Sequence, residues 1–416
     1  MSFNIALTGL NSVNDQLGAI SNNIANAGTT GFKSSRADFA SIYSDSSAIG
    51  VETQGLVQSI SQNGTLNTTG RTLDLAISGG GFFMTKSTNG DIAYTRAGVF
   101  GTDTSNRLVN TSGQFIQGYP VDANNNLLVG TVGNLQLSNT NIPAEATNKL
   151  DFTFNLDANA EVPTSGAFSP NDINSYNSTY TSKVYDSQGK EHTLLQYFVK
   201  NADNNWSAHY YLDGTATTNA IGSQTLTFNS AGLMTAPYDD ARVKANDPND
   251  PPQHQPLSLS SVNVGGGVAP LAIDVNYQGS TQYGADFVVT KNAPNGYSAG
   301  EKIGLAVEKD GKIYATYSNG ERLLQGQLVM ATFANLDGLK NISGTAWQET
   351  IDSGQAIIGT ATVGVFGDIT SGSLENSNVD LTEQLVALME GQRNYQANTK
   401  VISTDKELTQ VLFNAV

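Results

Sequence analysis

The sequence predicts a mixed fold, helical at both ends and β-structured between them. Two observations carry the prediction. Near each terminus apolar residues recur at every seventh position, the spacing that draws a narrow stripe along a helix. The long middle instead alternates apolar and polar residues between Gly-rich breaks and Asn-Gly or Asp-Gly turns, the pattern of short strands.

The first helix is expected over residues 3–27. Phe3, Leu10, Leu17 and Ile24 form one line of its stripe, and Ala6, Val13 and Ile20 the other. Asp15 is the one charged side chain between Met1 and Thr30, and the far face carries Asn4, Thr8, Asn11, Asn14, Gln16, Asn22 and Asn23. A polar but uncharged outer face suits a helix crowded on all sides, where an unpaired charge would be costly. Gly28 is the expected carboxyl cap.

Residues 32–72 read as an extended connector, with Phe32, Phe39 and Tyr43 near Lys33 and Arg36. Strand signals begin at Leu73, Leu75 and Ile77, break at Gly79-Gly80-Gly81 and resume around the Asn89-Gly90 turn. A second β region is expected over 150–296, with a strand at Leu194–Val199 and turns at 187–189 and 213–214. Its Pro-rich loop at 247–256 cannot belong to a central strand. Turns at Asp310-Gly311, Asn319-Gly320 and Asp337-Gly338 punctuate 300–370. The last helix is expected to start at Ser377 or Asn378, with Asp380 and Glu383 suiting its positive end, and to run close to Val416. Its stripe reads Leu374, Leu381, Leu388, Tyr395 and Ile402, with Leu385 beside it, drifting onto Leu408 as a straight helix departs from a strict heptad.

Composition narrows the function. Only 14% of the 416 residues are charged and the net charge is −16, which argues against binding nucleic acid or an anionic membrane. No run approaches the length of a membrane span. Cysteine is absent, so disulfides and thiol chemistry are excluded. The first residues lack the basic and apolar regions of a secretory signal, which predicts a cytosolic protein or one exported without a cleaved signal peptide. His192, His209 and His254 show no metal-ligand spacing and read as surface or strand-edge residues. Asp247, Asn249 and Asp250 lack the spacing of a calcium loop, the Gly triplets lack a phosphate-loop lysine, and no nucleophile elbow occurs. The expectation is a non-enzymatic protein without cofactor or metal. The two stripes fit either self-assembly or a plain intramolecular pair of antiparallel helices; the uncharged first helix favours assembly.

The segment Ile20-Ser-Asn-Asn-Ile-Ala-Asn-Ala-Gly-Thr-Thr-Gly-Phe-Lys33 resembles the amino-terminal signature of bacterial flagellar rod and hook proteins, carried here by Asn22, Asn23, Asn26, Gly31, Phe32 and Lys33. Leu385 to Tyr395, with Glu390-Gly-Gln-Arg-Asn-Tyr395, is similar to the carboxyl end of the same family. Segments 151–158, 184–189 and 311–320, and then 329–339, resemble the hook branch.

The resemblance implies a helical tubular polymer working as a universal joint, with a central export channel. Residues 1–31 and 375–416 would form a discontinuous coiled-coil polymerisation domain, 73–149 and 297–374 an inner β domain, and 150–296 an outer β domain inserted into it. The implied polymerisation seam is Phe3, Ala6, Leu10, Val13, Leu17, Ile20, Ile24, Leu381, Leu385, Leu388, Tyr395, Ile402 and Leu408. Implied partners are copies of the chain, the distal rod, the hook cap, the hook–filament junction protein and the flagellar export apparatus, with an extracellular place in the flagellum. Phe3-Asn-Ile-Ala-Leu7 resembles an export motif of early flagellar substrates, although Phe3 already belongs to the stripe. Rival readings are a distal rod or junction protein, which length and the 151–158 and 184–189 segments disfavour, and a secreted β-rich adhesin, which two Trp and helical stripes disfavour.

Overall fold

The computed structural model describes residues 2–44, 47–123, 125–215, 219–237, 257–259, 262–265 and 267–415. The Pro-rich loop at 247–256, with His254 and the Asp247, Asn249 and Asp250 group, lies outside them. The chain divides into two compact units. One comprises Met1–Asn139, Ile303–Thr316 and Arg322–Val416, the other Thr140–Lys302 and Tyr317–Glu321.

In the first unit, helix α1 spans Ser2–Ala25 and helix α2 spans Leu381–Ala415. α1 ends where the Asn26 side chain turns back to bond the Asn22 carbonyl at 3.0 Å and its side-chain oxygen at 2.6 Å. The left-handed residue that follows is Gly31 (φ 71°), not the expected Gly28. α2 starts three or four residues later than the expected Asn378 or Ser377 because Asp380 is the cap. Its carboxylate accepts from the Thr382 and Glu383 amides at 2.8 and 3.3 Å. Leu374, expected in the stripe, sits instead in the strand Ser373–Glu375.

Residues 32–72 also differ from an extended connector. Strands β1 (Ser35–Ser44) and β2 (Ser47–Gln58) form a long antiparallel ladder with bulges at 38/39 and 42/43. β3 (Leu66–Thr68) then pairs with Ser373–Glu375, and β4 (Leu75–Ser78) with Asp368–Ser371. These ladders join stretches of chain from opposite ends of the sequence. The body is an antiparallel sheet in the order Arg322–Leu328, Phe115–Pro120, Phe82–Lys86, Ile92–Thr95, Ala346–Gln348 and Lys340–Ile342. Asn89-Gly90 turns between two of its strands, with Gly90 at φ 98°. Its apolar faces bury Phe83, Phe100, Ile116 and Leu328 in one cluster and Phe82, Tyr94, Phe333 and Trp347 in another.

The second unit is a two-sheet sandwich. Ser178–Tyr185, Glu191–Ala202, Asn205–Leu212, Ala220–Phe228 and Met234–Ala236 form a continuous antiparallel meander. The facing sheet centres on Lys149–Asp157, paired parallel with Asp274–Asn276 and Thr281–Tyr283 and antiparallel with Val288–Pro294. Alternation along Lys149–Asp157 turns Leu150, Phe152, Phe154 and Leu156 inward, where they meet Phe198, Trp206 and Tyr277.

Candidate self-assembly surface and signature junction

α1 and α2 pack antiparallel. A Cβ on Gly9 would lie 3.1 Å from the Asn398 side chain, one on Gly391 would lie 2.7 Å from Leu17, and Asn23 donates to Gln384 at 3.0 Å. The line of α2 that meets α1 therefore runs Gln384, Gly391, Asn398, small or polar residues that let the helices approach closely. The apolar stripe lies beside that line. Leu388 and Ile402 are half-buried along its edge, while Leu381, Leu385, Tyr395 and Leu408 are exposed, Leu385 at 51% and Leu408 at 65%.

α1 has three working sides. One meets α2, with Leu10, Val13, Leu17 and Ile24 half-buried and Ala6 and Ile20 buried. Another meets the β1–β2 ladder: the Thr8 hydroxyl accepts from the Val51 amide at 3.3 Å, Thr53 donates to Asp15 at 2.8 Å, and Asn23 exchanges bonds with the Ser35 backbone at 2.7 and 2.9 Å. A third side is open and carries Phe3, Leu7, Asn11, Asn14 and Gly18. Phe3 and Leu7, the candidate export motif, are 44% and 42% exposed.

The signature residues converge where the helices join the body. Gly31 donates its amide to the Glu375 carbonyl at 2.8 Å, and a Cβ there would sit 2.6 Å from the Ala97 nitrogen. That close approach, at positive φ, is why glycine is needed. Lys33, fully buried, reaches Glu375 at 2.7 Å and the Gln62 carbonyl at 2.5 Å. Arg96 meets the other Glu375 oxygen at 3.2 Å and donates to the Gly79 carbonyl at 2.8 Å and Asn63 at 3.1 Å. Two cations therefore share one carboxylate in a site closed to water. Burial drives the Lys33 ammonium below its ordinary value, an effect Glu375 opposes, and burial likewise lowers Arg96. Asn22, Asn26, Phe32 and Lys33, with Gln58 and Trp347, line a cavity of about 420 Å³ beside this junction.

Arg96 and Glu375 did not stand out in the sequence. Nor did the surroundings of His192, which proves buried, against the expected surface or strand-edge position. One ring nitrogen contacts Asp213, and the other lies 3.3 Å from Asp186. His209 stacks on Phe168 with ring centroids 4.0 Å apart. Among the described residues no group of three His, Asp or Glu could hold a metal ion, and no helix is long and apolar enough to cross a membrane.

Comparison with known proteins covers nearly the whole chain. Residues 3–33 match the family model "Flagella basal body rod protein", 76–165 "Flagellar hook protein FlgE/F/G D1 domain", 155–297 "Flagellar basal body protein FlaE D2 domain", and 370–415 "Flagellar basal body rod FlgEFG protein C-terminal". The flagellar hook protein FlgE of Salmonella typhimurium is 36% identical over 428 residues, and that of Escherichia coli K12 36% over 421, each spanning 100% of both chains. The Borreliella burgdorferi FlgE is 31% identical, over 98% of this chain and 97% of its own. The crystal structure of Helicobacter pylori flagellar hook protein FlgE2 shares the fold, with a TM-score of 0.52 at 14% identity over 74% of this chain and 100% of that one.

Paired terminal helices closing a β-rich body, with these matches, define a structural protein of the flagellar rod and hook class. Identity along the full length then decides the member: the chain belongs to the flagellar hook protein family, and it is a structural subunit of the hook.

Proposed function

We propose that the chain polymerises through its terminal helices into a tube, and that the tube bends as a joint transmitting torque from rod to filament. One observation carries this reading. The line of α2 that meets α1, Gln384, Gly391 and Asn398, is small or polar, while the apolar residues beside it, Leu381, Leu385 and Tyr395, are exposed, as is Leu408 further along the helix. An exposed apolar row of this length is unfavourable in a free monomer and favourable once neighbours cover it. The half-buried and buried stripe residues of α1, Ala6, Leu10, Val13, Leu17, Ile20 and Ile24, hold the pair together. Leu388 and Ile402 sit at the edge where pair and neighbour meet.

On this reading 150–296 is the outer β domain, inserted into the inner one. Its Gly-, Asn- and Ser-rich surface offers exchangeable polar contacts of small net value, so subunits slide when the tube bends. The rod, hook cap, junction protein and export apparatus are the expected partners, and export proceeds without a cleaved signal peptide, with Phe3 and Leu7 as its candidate motif.

The test is polymerisation of purified chain followed by electron microscopy. Leu381→Ser with Leu385→Ser removes exposed apolar surface, so the monomer should melt as before while tubes fail to form. Normal tubes from this variant would refute the seam. A hook of unchanged flexibility after deletion of 150–296 would refute the sliding role.

A further inference from the structure

α2 outlasts α1. In the three cross-helix contacts the residue numbers run in opposite directions and total 407 or 408, so Ser2 falls level with about residue 405. Residues 406–415 continue past the start of α1 with no helix beside them, an overhang of about 15 Å at 1.5 Å per residue. Its side chains Leu408, Val411 and Phe413 are exposed, Phe413 at 78%. On α1 the open side is apolar only in its first two turns, where Phe3 (44% exposed) and Leu7 lie; beyond them it is Asn11, Asn14 and Gly18.

Charge narrows what can cover the overhang. The root of the overhang carries Lys406 and Glu407, but from Leu408 to Val416 no side chain is charged, and none is charged from Ser2 to Asn14. The exposed stretch of α2 between Leu381 and Val401, by contrast, is interrupted by Glu383, Glu390, Arg393 and Lys400. Laying the overhang there would strip water from charges without partners. Laying its part beyond Glu407 on the first turns of α1 strips water from no charged side chain.

We infer that the α2 overhang of one copy packs on Phe3 and Leu7 of a second copy, shifted along the helix axis by about the length of the overhang. The inference rests on the assembly reading and specifies its polarity. Two different surfaces meet, so the contact does not close on itself and repeats in one direction, as a helical polymer requires. Leu381 and Leu385 remain free for lateral neighbours.

The absence of cysteine gives a clean experiment. Phe413→Cys and Phe3→Cys chains, made separately and each added as a minor fraction to the unaltered chain, are polymerised together and oxidised. Cross-linked heterodimers are expected in the mixture and not in either variant alone. Val411→Cys with Leu7→Cys provides a second pair should the first perturb incorporation. A chain ending at Asp405 should keep the monomer's melting temperature and fail to extend tubes. Tubes that form without either heterodimer, Phe413→Cys homodimers, closed dimers in place of tubes, or normal tubes from the shortened chain would each overturn the contact while leaving the hook reading intact. Failure of the unaltered chain to polymerise at all would count against both.

Discussion

Replacing Glu375 by Gln tests how the helices are anchored. The carboxylate is buried and receives Lys33, Arg96 and, at 2.9 Å, the Gly64 amide. Glutamine keeps the shape but removes the one negative charge set between two buried cations. Breaking a buried ion pair by removing one partner costs about 3–5 kcal/mol, because the remaining charge is left uncompensated. For a unit of this size that corresponds to a fall in melting temperature of roughly 6–20 °C. The pH dependence has a definite sign. Burial places the folded-state value of Lys33 below its ordinary 10.5, so in the interval between them the unfolded chain holds more protons and stability rises with pH. Without Glu375 the depression deepens and the interval opens lower, so the deficit of the variant should shrink as pH approaches 10.5. Calorimetry of both full-length chains at neutral and alkaline pH decides it. A deficit under about 0.5 kcal/mol, within the range of an ordinary surface change, would refute the argument. A deficit that widens at high pH would do the same.

Other outcomes follow from the same contacts. Gly31→Ala forces a side chain into the Ala97 backbone at positive φ and should cost at least about 1–3 kcal/mol, read by chemical denaturation. Asn23→Ala removes both bonds to the Ser35 backbone, the one from the Ser35 hydroxyl and the one to Gln384, and should lower stability by about 1–3 kcal/mol while increasing amide exchange in β1 near Ser35. In the second unit, burial pushes Asp186 and Asp213 up, but backbone amides and His192 outweigh it and hold both low. Asp151 is held to about 2, chiefly by Lys291. Folded-state values below the ordinary 3.8 mean that stability is intact above it and is lost as pH falls from there toward about 2. An acid titration of the unit's tryptophan signal should show that loss, and His192→Leu should make it shallower.

Helices at both ends and strands between them were legible because periodicity is local. Which side of each helix faces which partner was not. The heptad drew attention to Leu381, Leu388 and Tyr395, yet the line that meets α1 is Gln384, Gly391 and Asn398, chosen for closeness and invisible to a search for apolar residues. The β1–β2 ladder escaped for a related reason. Phe39, Tyr43 and Leu56 are exposed, so its strands lack the one-sided alternation that marks a half-buried sheet, and α1 braces them instead. Lys33 was found only through family resemblance, because its partner Glu375 lies 342 positions away and Arg96 in turn 279 from Glu375. His192 could have been suspected from Asp186 six residues before it, but Asp213 becomes its neighbour only once the meander folds.

The pairing of β3 with Ser373–Glu375 and of α1 with α2 has a consequence for the order of events during synthesis and transport. Contacts that join the first and last sixths of a chain carry the largest loop-closure cost and form late. Were the proposed export route to feed the subunit end-first through a narrow conduit, its first unit could not be completed until the last residues had emerged. On that reading the topology would act as a timer, withholding the finished building block until the whole chain had reached the place of assembly.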